Sequence, residues 1–195
     1  MTSGPTLRTA RLVLRPWREA DREPFAAMNA DPEVRRYFPS VLSRAQSDAN
    51  ADFLSSRFEH TEYGPWAVEV PGVTPFAGFV GMWNVSFDDP PRGRVEIGWR
   101  LARAHWGKGY ASEAARAALA FGFERCNLEE IIAFVVPANA ASRAVMDRIG
   151  LVDQPAESFD HPRVPEGHPY RWHLLYRLRR ADWRPDPEFP YTVQG

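Results

Sequence analysis

The sequence has almost no cysteine, no excess of charge of either sign and no long hydrophobic run. Its 195 residues include one cysteine, Cys126, so no disulfide can form within the chain, as is usual in a reducing compartment. Lysine and arginine number 24 against 25 acidic residues, so no global basic field would gather nucleic acid. No apolar run approaches the roughly 18 residues that span a bilayer, and residues 1–16 lack the apolar core of a signal peptide. We therefore expect a cytoplasmic protein with neither a nucleic-acid nor a membrane partner.

The length and composition indicate one globular domain. The chain is 44% hydrophobic and 25% charged, which are ordinary values for a domain that can bury its own core. Its 18 prolines cluster at the joints between predicted elements, where they punctuate a domain. We predict a single domain over residues 1–195, with a core at about 7–183 and a proline-rich tail.

Hydrophobic periodicity predicts the order strand, two helices, three strands, helix, strand, helix, strand. Residues 7–14 are predicted to form the first strand. Asp21 is predicted to cap the first helix, and Ser43 with Gln46 has the form of a capping box at the start of the second. Asn139 is a good cap for the last helix. This order is typical of a mixed α/β domain with one central sheet.

A glycine turn between a strand and an alanine-rich helix carries the most information. Gly107 and Gly109 let the backbone turn tightly and approach a ligand. The first N–H groups of the helix that follows have no partner within it and favour phosphate. Lys108 adds a positive charge. The turn predicts a diphosphate site, and turn geometry without a ligand is the alternative, since neither the Walker loop nor the dinucleotide fingerprint is matched.

Three motifs in order resemble the GNAT superfamily of N-acetyltransferases. The family signature, Gln/Arg-x-x-Gly-x-Gly/Ala, is matched at residues 106–111, except that Trp106 replaces the usual Gln or Arg. Residues 136–151 are similar to the family's next strand and helix. Residues 9–15 and 96–99 look like the RimJ/RimL branch, which acetylates protein N-termini. The resemblance covers nearly the whole chain.

The resemblance implies an α+β (mixed α/β) fold with a GNAT-like, mostly antiparallel central sheet that is splayed between its two middle strands and flanked by helices. It implies acetyl-CoA as cosubstrate and no metal, with the pantetheine arm pairing inside the splay like a short extra strand. A homodimer is also expected from the family. The cofactor-binding residues that it implies are Trp99, Leu101, Trp106, Gly107, Lys108, Gly109, Tyr110, Ala111, Asn139 and Ser142. Core packing is the alternative for Trp99, and helix capping is the alternative for Asn139.

The acceptor amine has to lose a proton, because amines are protonated at neutral pH. Glu96 is the candidate base, since it lies on the polar face of its strand. The alternative is an ordinary glutamate that faces solvent or forms an ion pair with Arg100. Glu113 is a weaker candidate that can instead favour the dipole of its own helix or pair with a neighbour. The family often protonates the departing thiolate with a tyrosine, but that position is Met146. Ser142 is then the nearest hydroxyl, with helix capping as its alternative.

Direct transfer in a ternary complex is the mechanism that this arrangement implies, with backbone N–H groups of the splayed strand stabilising the oxyanion. Nothing in the sequence calls for an acyl-enzyme on Cys126. A catalytically inert module that binds acetyl-CoA is the alternative function; it would keep the glycine turn and lack a working base.

The motifs leave the acceptor open between a peptide N-terminus and a small-molecule amine. A long acidic groove would favour basic peptides, and a closed aromatic pocket would favour small amines. The loop at 159–170 is expected to form one wall of the pocket, with a rigid surface connection or a dimer contact as the alternative. His161, His168 and His173 match no zinc spacing. Aromatic residues that could build the pocket are Trp17, Phe38, Trp66, Trp83 and Phe87.

Overall fold

The computed structural model describes residues 4–87 and 90–194. The predicted domain also includes residues 1–3, 88–89 and 195, which lie outside the described residues. The strands are β1 (Thr6–Arg8), β2 (Val13–Arg15), β3 (Pro65–Val70), β4 (Thr74–Asn84), β5 (Val95–Leu101), β6 (Glu130–Val135), β7 (Val152–Asp153), β8 (Phe159–Asp160), β9 (Trp172–Arg179) and β10 (Thr192–Gln194). The α-helices are α1 (Arg22–Ala30), α2 (Arg44–Ser55), α3 (Tyr110–Glu124) and α4 (Ala140–Arg148).

One sheet organises the described chain. Its strands follow the order β10-β1-β2-β3-β4-β5-β6-β9-β7, and β8 pairs with β9 beside this path. The pair β5–β6 is parallel, and each of the other pairs is antiparallel. The expected mixed fold with a mostly antiparallel sheet is therefore confirmed. No helix in the described part of the chain is long and apolar enough to cross a membrane.

The two faces of the sheet pack in two separate hydrophobic cores, because successive side chains of each strand point to opposite faces. Trp66 and Val68 of β3 pack in the core that contains the alanine-rich face of α3. Ala67, between them, belongs to the core formed with α1 and α2. On β5, Ile97 is buried on the α3 side. Because successive side chains of a strand point to opposite faces, Glu96 and its neighbours at alternate positions lie on the α1/α2 side.

Two of the predicted caps are present. The Ser43 hydroxyl accepts a hydrogen bond from the Gln46 N–H, and the Gln46 side chain accepts one from the Ser43 N–H. Asn139 caps α4, because its Oδ1 accepts the Ser142 N–H at 3.1 Å. Local sequence alone determines such bonds.

Two predictions about the N-terminal region were wrong. Residues 7–14 do not form one strand, because Thr9 and Leu12 close a turn, with the Thr9 N–H bonded to the Leu12 carbonyl at 3.0 Å, and two short strands result. Asp21 does not cap α1 through its side chain. Its carboxylate is engaged by both terminal nitrogens of Arg15, each at 2.8 Å. A buried arginine requires such a partner, and that requirement outweighs the capping bond.

Candidate functional site

The site begins where two neighbouring strands separate. In the described structure, β5 and β6 pair with each other at one position, Glu96 with Ile132. Beyond this pair the strands diverge, which is the splay expected from the resemblance. A cavity of about 1030 Å³ opens between them and extends to α4 on one side and to the α1–α2 connection on the other. It is large enough for an extended ligand that runs from the glycine turn to the α1/α2 face.

The glycine turn opens onto this cavity. Gly107 and Gly109 have φ angles of 71° and 79°, in the left-handed region that glycine adopts without strain. Tyr110 begins α3 directly after the turn, so the first helical N–H groups lie beside it. A Cβ placed on Gly107 would meet no atom within 4 Å. Gly107, Gly109, Tyr110 and Ala111 all line the cavity, and the open space fits a diphosphate.

Lys108 occupies a different position from its neighbours. It is exposed, and it is not among the residues that line the cavity. Its carbonyl accepts a hydrogen bond from Arg11 Nη1 at 3.0 Å. Arg11 does line the cavity, so the cation that the structure places against this turn is Arg11. Its guanidinium also lies over the Tyr110 ring, 5.0 Å from the ring centroid.

Glu113 fixes Arg11. The Glu113 carboxylate, 4% exposed, accepts bonds from Thr9 Oγ1 at 2.6 Å, from the Arg11 N–H at 3.0 Å and from Arg11 Nε at 2.7 Å. Both carboxylate oxygens are therefore engaged. This agrees with the interpretation that Glu113 pairs with a neighbour, and it leaves Glu96 as the carboxylate beside the splay that is free of an ion pair among the described residues.

The residues expected along the pantetheine arm meet at the same cavity. Trp99, Leu101 and Trp106 line it. The Trp106 indole N–H donates to the Leu101 carbonyl at 2.8 Å, so Trp106 covers the end of β5. The resembled family usually has Gln or Arg at the position of Trp106. The Leu101 carbonyl is thereby already bonded, and the backbone groups earlier in β5 are the ones that remain for an extended ligand.

Asn139, Ser142 and Met146 lie on the opposite wall, and all three line the cavity. Asn139 uses its side-chain oxygen to cap α4, which leaves its N–H₂ group for a ligand. Met146 is 2% exposed and belongs to the core, and its thioether has no proton to give. Ser142 is the hydroxyl on the first turn of α4 that borders the same space.

The Glu96 carboxylate lies on the other side of the splay, beside the last paired position of β5. Its Oε2 accepts the Trp83 indole N–H at 2.9 Å. Burial raises the pKa of Glu96 to about 8, against the lowering effects of the Trp83 hydrogen bond and the Arg163 charge. No ion pair between Glu96 and Arg100 occurs among the described residues, so the alternative of a salt-bridged glutamate is not what the structure contains. A carboxyl group with this pKa can exchange protons near neutral pH.

Aromatic side chains surround the approach to Glu96. Phe38, Trp83 and Phe87 line the cavity as predicted, whereas Trp17 and Trp66 were wrongly predicted there. Trp66 is fully buried between Phe58 and Phe121, and Trp17 packs with the side chains of α1, because large rings gain most from the core. From the loop at 159–170, the cavity wall receives His161, Arg163, Val164 and Tyr170.

Two of the three candidate histidines form part of this wall. The rings of His161 and His173 lie 4.9 Å apart, packed against Phe134. Burial lowers the pKa of both, that of His161 to about 4, so both rings are neutral at pH 7. His168 does not line the cavity. Within residues 4–87 and 90–194, no three His, Cys, Asp or Glu side chains are grouped as a metal would require.

Cys126 has no part in the cavity. It is partly buried and packs against the core on the α3 side. Burial raises the pKa of its thiol to about 11, whereas a nucleophilic cysteine requires a lowered pKa.

Sequence reasoning missed three of the residues that border the cavity near the glycine turn. Arg116 and Phe189 line it together with Arg11. The Arg116 guanidinium stacks on the Phe189 ring at 4.2 Å and contacts Asp186 at 3.4 Å, so the proline-rich tail folds back onto α3. The sequence analysis included Arg11 only as part of the motif at residues 9–15. Nothing in the composition of the tail indicates the contact of Phe189 with Arg116.

Comparisons with known proteins agree on the family. The family model described as "Acetyltransferase (GNAT) domain" matches residues 11–152. The FsC-acetyl coenzyme A-N(2)-transacetylase of Aspergillus fumigatus is 33% identical over 195 residues, with 92% of this chain and 78% of that protein covered. The crystal structure of an acetyltransferase from Agrobacterium tumefaciens is similar with a TM-score of 0.73 and 28% identity, covering 92% of this chain and 96% of that one. Mycobacterium smegmatis RimJ, solved with CoA-disulfide, shares the fold with a TM-score of 0.70 at 21% identity, covering 91% and 90%.

Proposed function

The chain belongs to the GNAT family of acetyltransferases, which use acetyl-CoA, and we propose that it transfers the acetyl group directly to a primary amine in a ternary complex. The observation that carries the proposal is the position of Glu96. It lies at the last pair before β5 and β6 separate, on the same cavity as the glycine turn. A base at one end and an anion-binding turn at the other match a thioester whose acetyl group ends beside Glu96.

Glu96 is the proposed proton acceptor. With a pKa of about 8 in the free protein, its carboxyl can exchange protons near neutral pH, where the acceptor amine still carries its proton. Arrival of an ammonium group beside it favours the ionised carboxylate, because an opposite charge lowers a carboxyl pKa. The ammonium then gives its proton to Glu96, directly or through one water, and the neutral amine attacks the thioester carbonyl.

Collapse of the tetrahedral intermediate requires two further groups. Backbone N–H groups of β5 beyond Glu96 are proposed to stabilise the oxyanion, since the splay leaves that edge unpaired by β6. Ser142 is proposed to protonate the leaving thiolate, because it is the hydroxyl that α4 presents to the cavity while Met146 cannot donate. The amide of Asn139 is proposed to hold the pantetheine arm.

The nucleotide end is proposed to lie at the glycine turn and the folded-back tail. The amides at the start of α3, with Arg11 against the turn, provide positive potential for the diphosphate. Lys108 is proposed to add to that potential from the exposed side of the turn. Phe189 presents an aromatic ring whose position Arg116 fixes, and such a ring is a suitable stacking surface for a base.

A small-molecule amine is the proposed acceptor in preference to a protein N-terminus. The approach to Glu96 is aromatic, and apart from Glu96 the carboxylate that lines the cavity is Glu33, which contacts Arg36 at 3.8 Å. A site for basic peptides would be acidic.

Thiol release from acetyl-CoA, measured with small amines and with N-terminal peptides, tests the proposal. We expect turnover with small amines, and its loss in Glu96→Gln with coenzyme A binding unchanged by calorimetry. Coenzyme A binding without turnover on any amine would instead support the inert binding module. Absence of coenzyme A binding would contradict both functions.

A further inference from the structure

Arg100 is a half-buried cation on β5. It lies on the same face of β5 as Glu96 and lines the cavity. It forms no ion pair with any carboxylate in the part of the chain that the structure describes. Its Nε is buried and has no hydrogen-bond partner there. A charge in such a place is costly unless something compensates it.

A polar chain behind the cavity holds Arg100 in place. Its Nη1 donates to Asn29 Oδ1 at 2.9 Å, and Asn29 Nδ2 donates in turn to Ser47 Oγ at 2.9 Å. Asn29 and Ser47 are fully buried. An amide and a hydroxyl orient the guanidinium but carry no negative charge to neutralise it. The fold therefore fixes one side of the group and leaves Nε free.

A second arginine increases the positive potential. Arg35 and Arg100 both contact the Phe38 ring, with guanidinium carbons 4.2 and 4.5 Å from its centroid. Arg35 forms no ion pair among the described residues either. Burial lowers the pKa of Arg100 to about 9, and the charge of Arg35 lowers it further in the same direction. Arg35 does not itself line the cavity, so its charge would favour an anion bound at Arg100 without contacting it.

We propose that the acceptor amine carries a carboxylate that binds Arg100 while its amino group lies at Glu96. This inference rests on the proposed function and specifies its acceptor. Glu96 and Arg100 are four residues apart on one strand, so their Cα atoms are about 13 Å apart. Between them lies Gly98, where a Cβ would be 2.6 Å from the Trp83 ring, so this ring covers Gly98 and forms the floor of the path between them. The acceptor is therefore an extended amino acid with its two charged ends well separated.

Matched acids and amides test the charge alone. We would measure kcat/KM with glycine, 4-aminobutanoate and 6-aminohexanoate, and with the primary amide of each. The wild type should prefer the acid, most strongly for the longest chain, by about tenfold to hundredfold, as for loss of a charged hydrogen bond. Arg100→Gln should remove that preference by lowering only the acid rates, and Arg100→Lys should restore part of it. Arg44→Gln, which removes an exposed arginine outside the cavity, is the matched control.

Calorimetry of the coenzyme A-loaded protein with 6-aminohexanoate and its amide gives a readout that does not need turnover. Preferential binding of the acid that Arg100→Gln abolishes supports the inference. Equal rates and equal binding of acid and amide in the wild type overturn it, and turnover of the amides would then leave the proposed function intact. If Arg100→Gln lowers kcat/KM for the acid and for its amide by the same factor, Arg100 has a structural role and the inference is overturned. Binding without acetylation of any amine would instead count against the proposed function.

Discussion

Glu113 of α3 binds Arg11 of the first hairpin through both its backbone N–H and its guanidinium, although 102 residues separate them. Arg11 in turn donates to the carbonyl of Lys108. A buried carboxylate thus connects the first hairpin to the glycine turn through one arginine. The glycine turn, which is proposed to hold the diphosphate, is therefore positioned by a residue of the distant first hairpin.

Replacing Glu113 by Gln should therefore weaken both folding and cofactor binding. The amide keeps one acceptor but loses the charge, so we expect a loss of about 1–3 kcal/mol in the free energy of unfolding, as when buried donors lose a charged partner. We also expect a higher Kd for coenzyme A. Urea unfolding and calorimetry measure the two effects. Glu19→Gln, which breaks an exposed pair with Arg22, should change neither by much; equal effects of the two variants would contradict the linkage.

Glu96→Gln should lower kcat/KM for amine acetylation by about 10²–10⁴-fold, the usual size of a general-base contribution. The amide has a similar shape and can still accept the Trp83 N–H, so Kd for coenzyme A should not change. Steady-state thiol release and calorimetry on the same preparation separate chemistry from binding. Activity within a few-fold of the wild type would remove Glu96 from the mechanism.

The pH dependence of stability should identify the same carboxyl group. Burial raises the pKa of Glu96 from its ordinary 4.5 to about 8, so between these values the native state binds a proton that the unfolded state has lost. The contribution of Glu96 to the free energy of unfolding is therefore greatest below about pH 4.5 and falls as the pH rises towards about 8. Glu96→Gln should flatten that part of the profile, which urea unfolding at pH 5, 6.5 and 8 would detect. Identical slopes in the two proteins would be the contrary result.

Asn139 and Ser142 should differ although they share one hydrogen bond. Asn139→Ala removes the cap of α4 and should cost about 1 kcal/mol of stability, whereas Asn139→Asp should retain most of that stability.

Ser142→Ala keeps the N–H that the cap binds, so its stability should stay within about 0.5 kcal/mol of the wild type. Loss of the proposed thiolate donor should slow single-turnover acetylation by about a hundredfold. An unchanged single-turnover rate would refute that role.

Phe189→Ala should weaken binding of the nucleotide half of the cofactor. Loss of one stacked base typically costs about tenfold or more in affinity. Coenzyme A should lose this affinity, while pantetheine, which has no nucleotide, should bind equally to both proteins. Calorimetry with the two ligands makes the comparison. A parallel loss for pantetheine would show that the tail affects the whole cavity instead.

The sequence predicted those features that local chemistry determines. The capping box at Ser43, the cap at Asn139 and the two faces of β5 follow from neighbours in the chain, and all are present. The glycine turn was also predictable, since a strand, two glycines and an alanine-rich helix leave little choice of backbone.

Features that depend on distant partners were not predictable. Asp21 has the sequence context of a helix cap, but the buried guanidinium of Arg15 claims its carboxylate. The Arg100 guanidinium could be expected to pair with Glu96 on its own strand, yet Asn29 of α1 receives it. The contact of Phe189 with Arg116 joins positions 73 residues apart. In each case the choice between partners is made by tertiary packing, which periodicity does not contain.

The single pairing of Glu96 with Ile132 has a consequence for the dynamics of the free protein. Amides on the inner edges of the two strands beyond that pair have no neighbour in the sheet and should exchange with deuterium through small local openings, well before the core unfolds. If pantetheine occupies the gap, the donor molecule becomes a temporary member of the sheet. Saturating coenzyme A should then slow exchange in these two half-strands selectively, because the bound substrate protects amides that the sheet itself leaves unpaired.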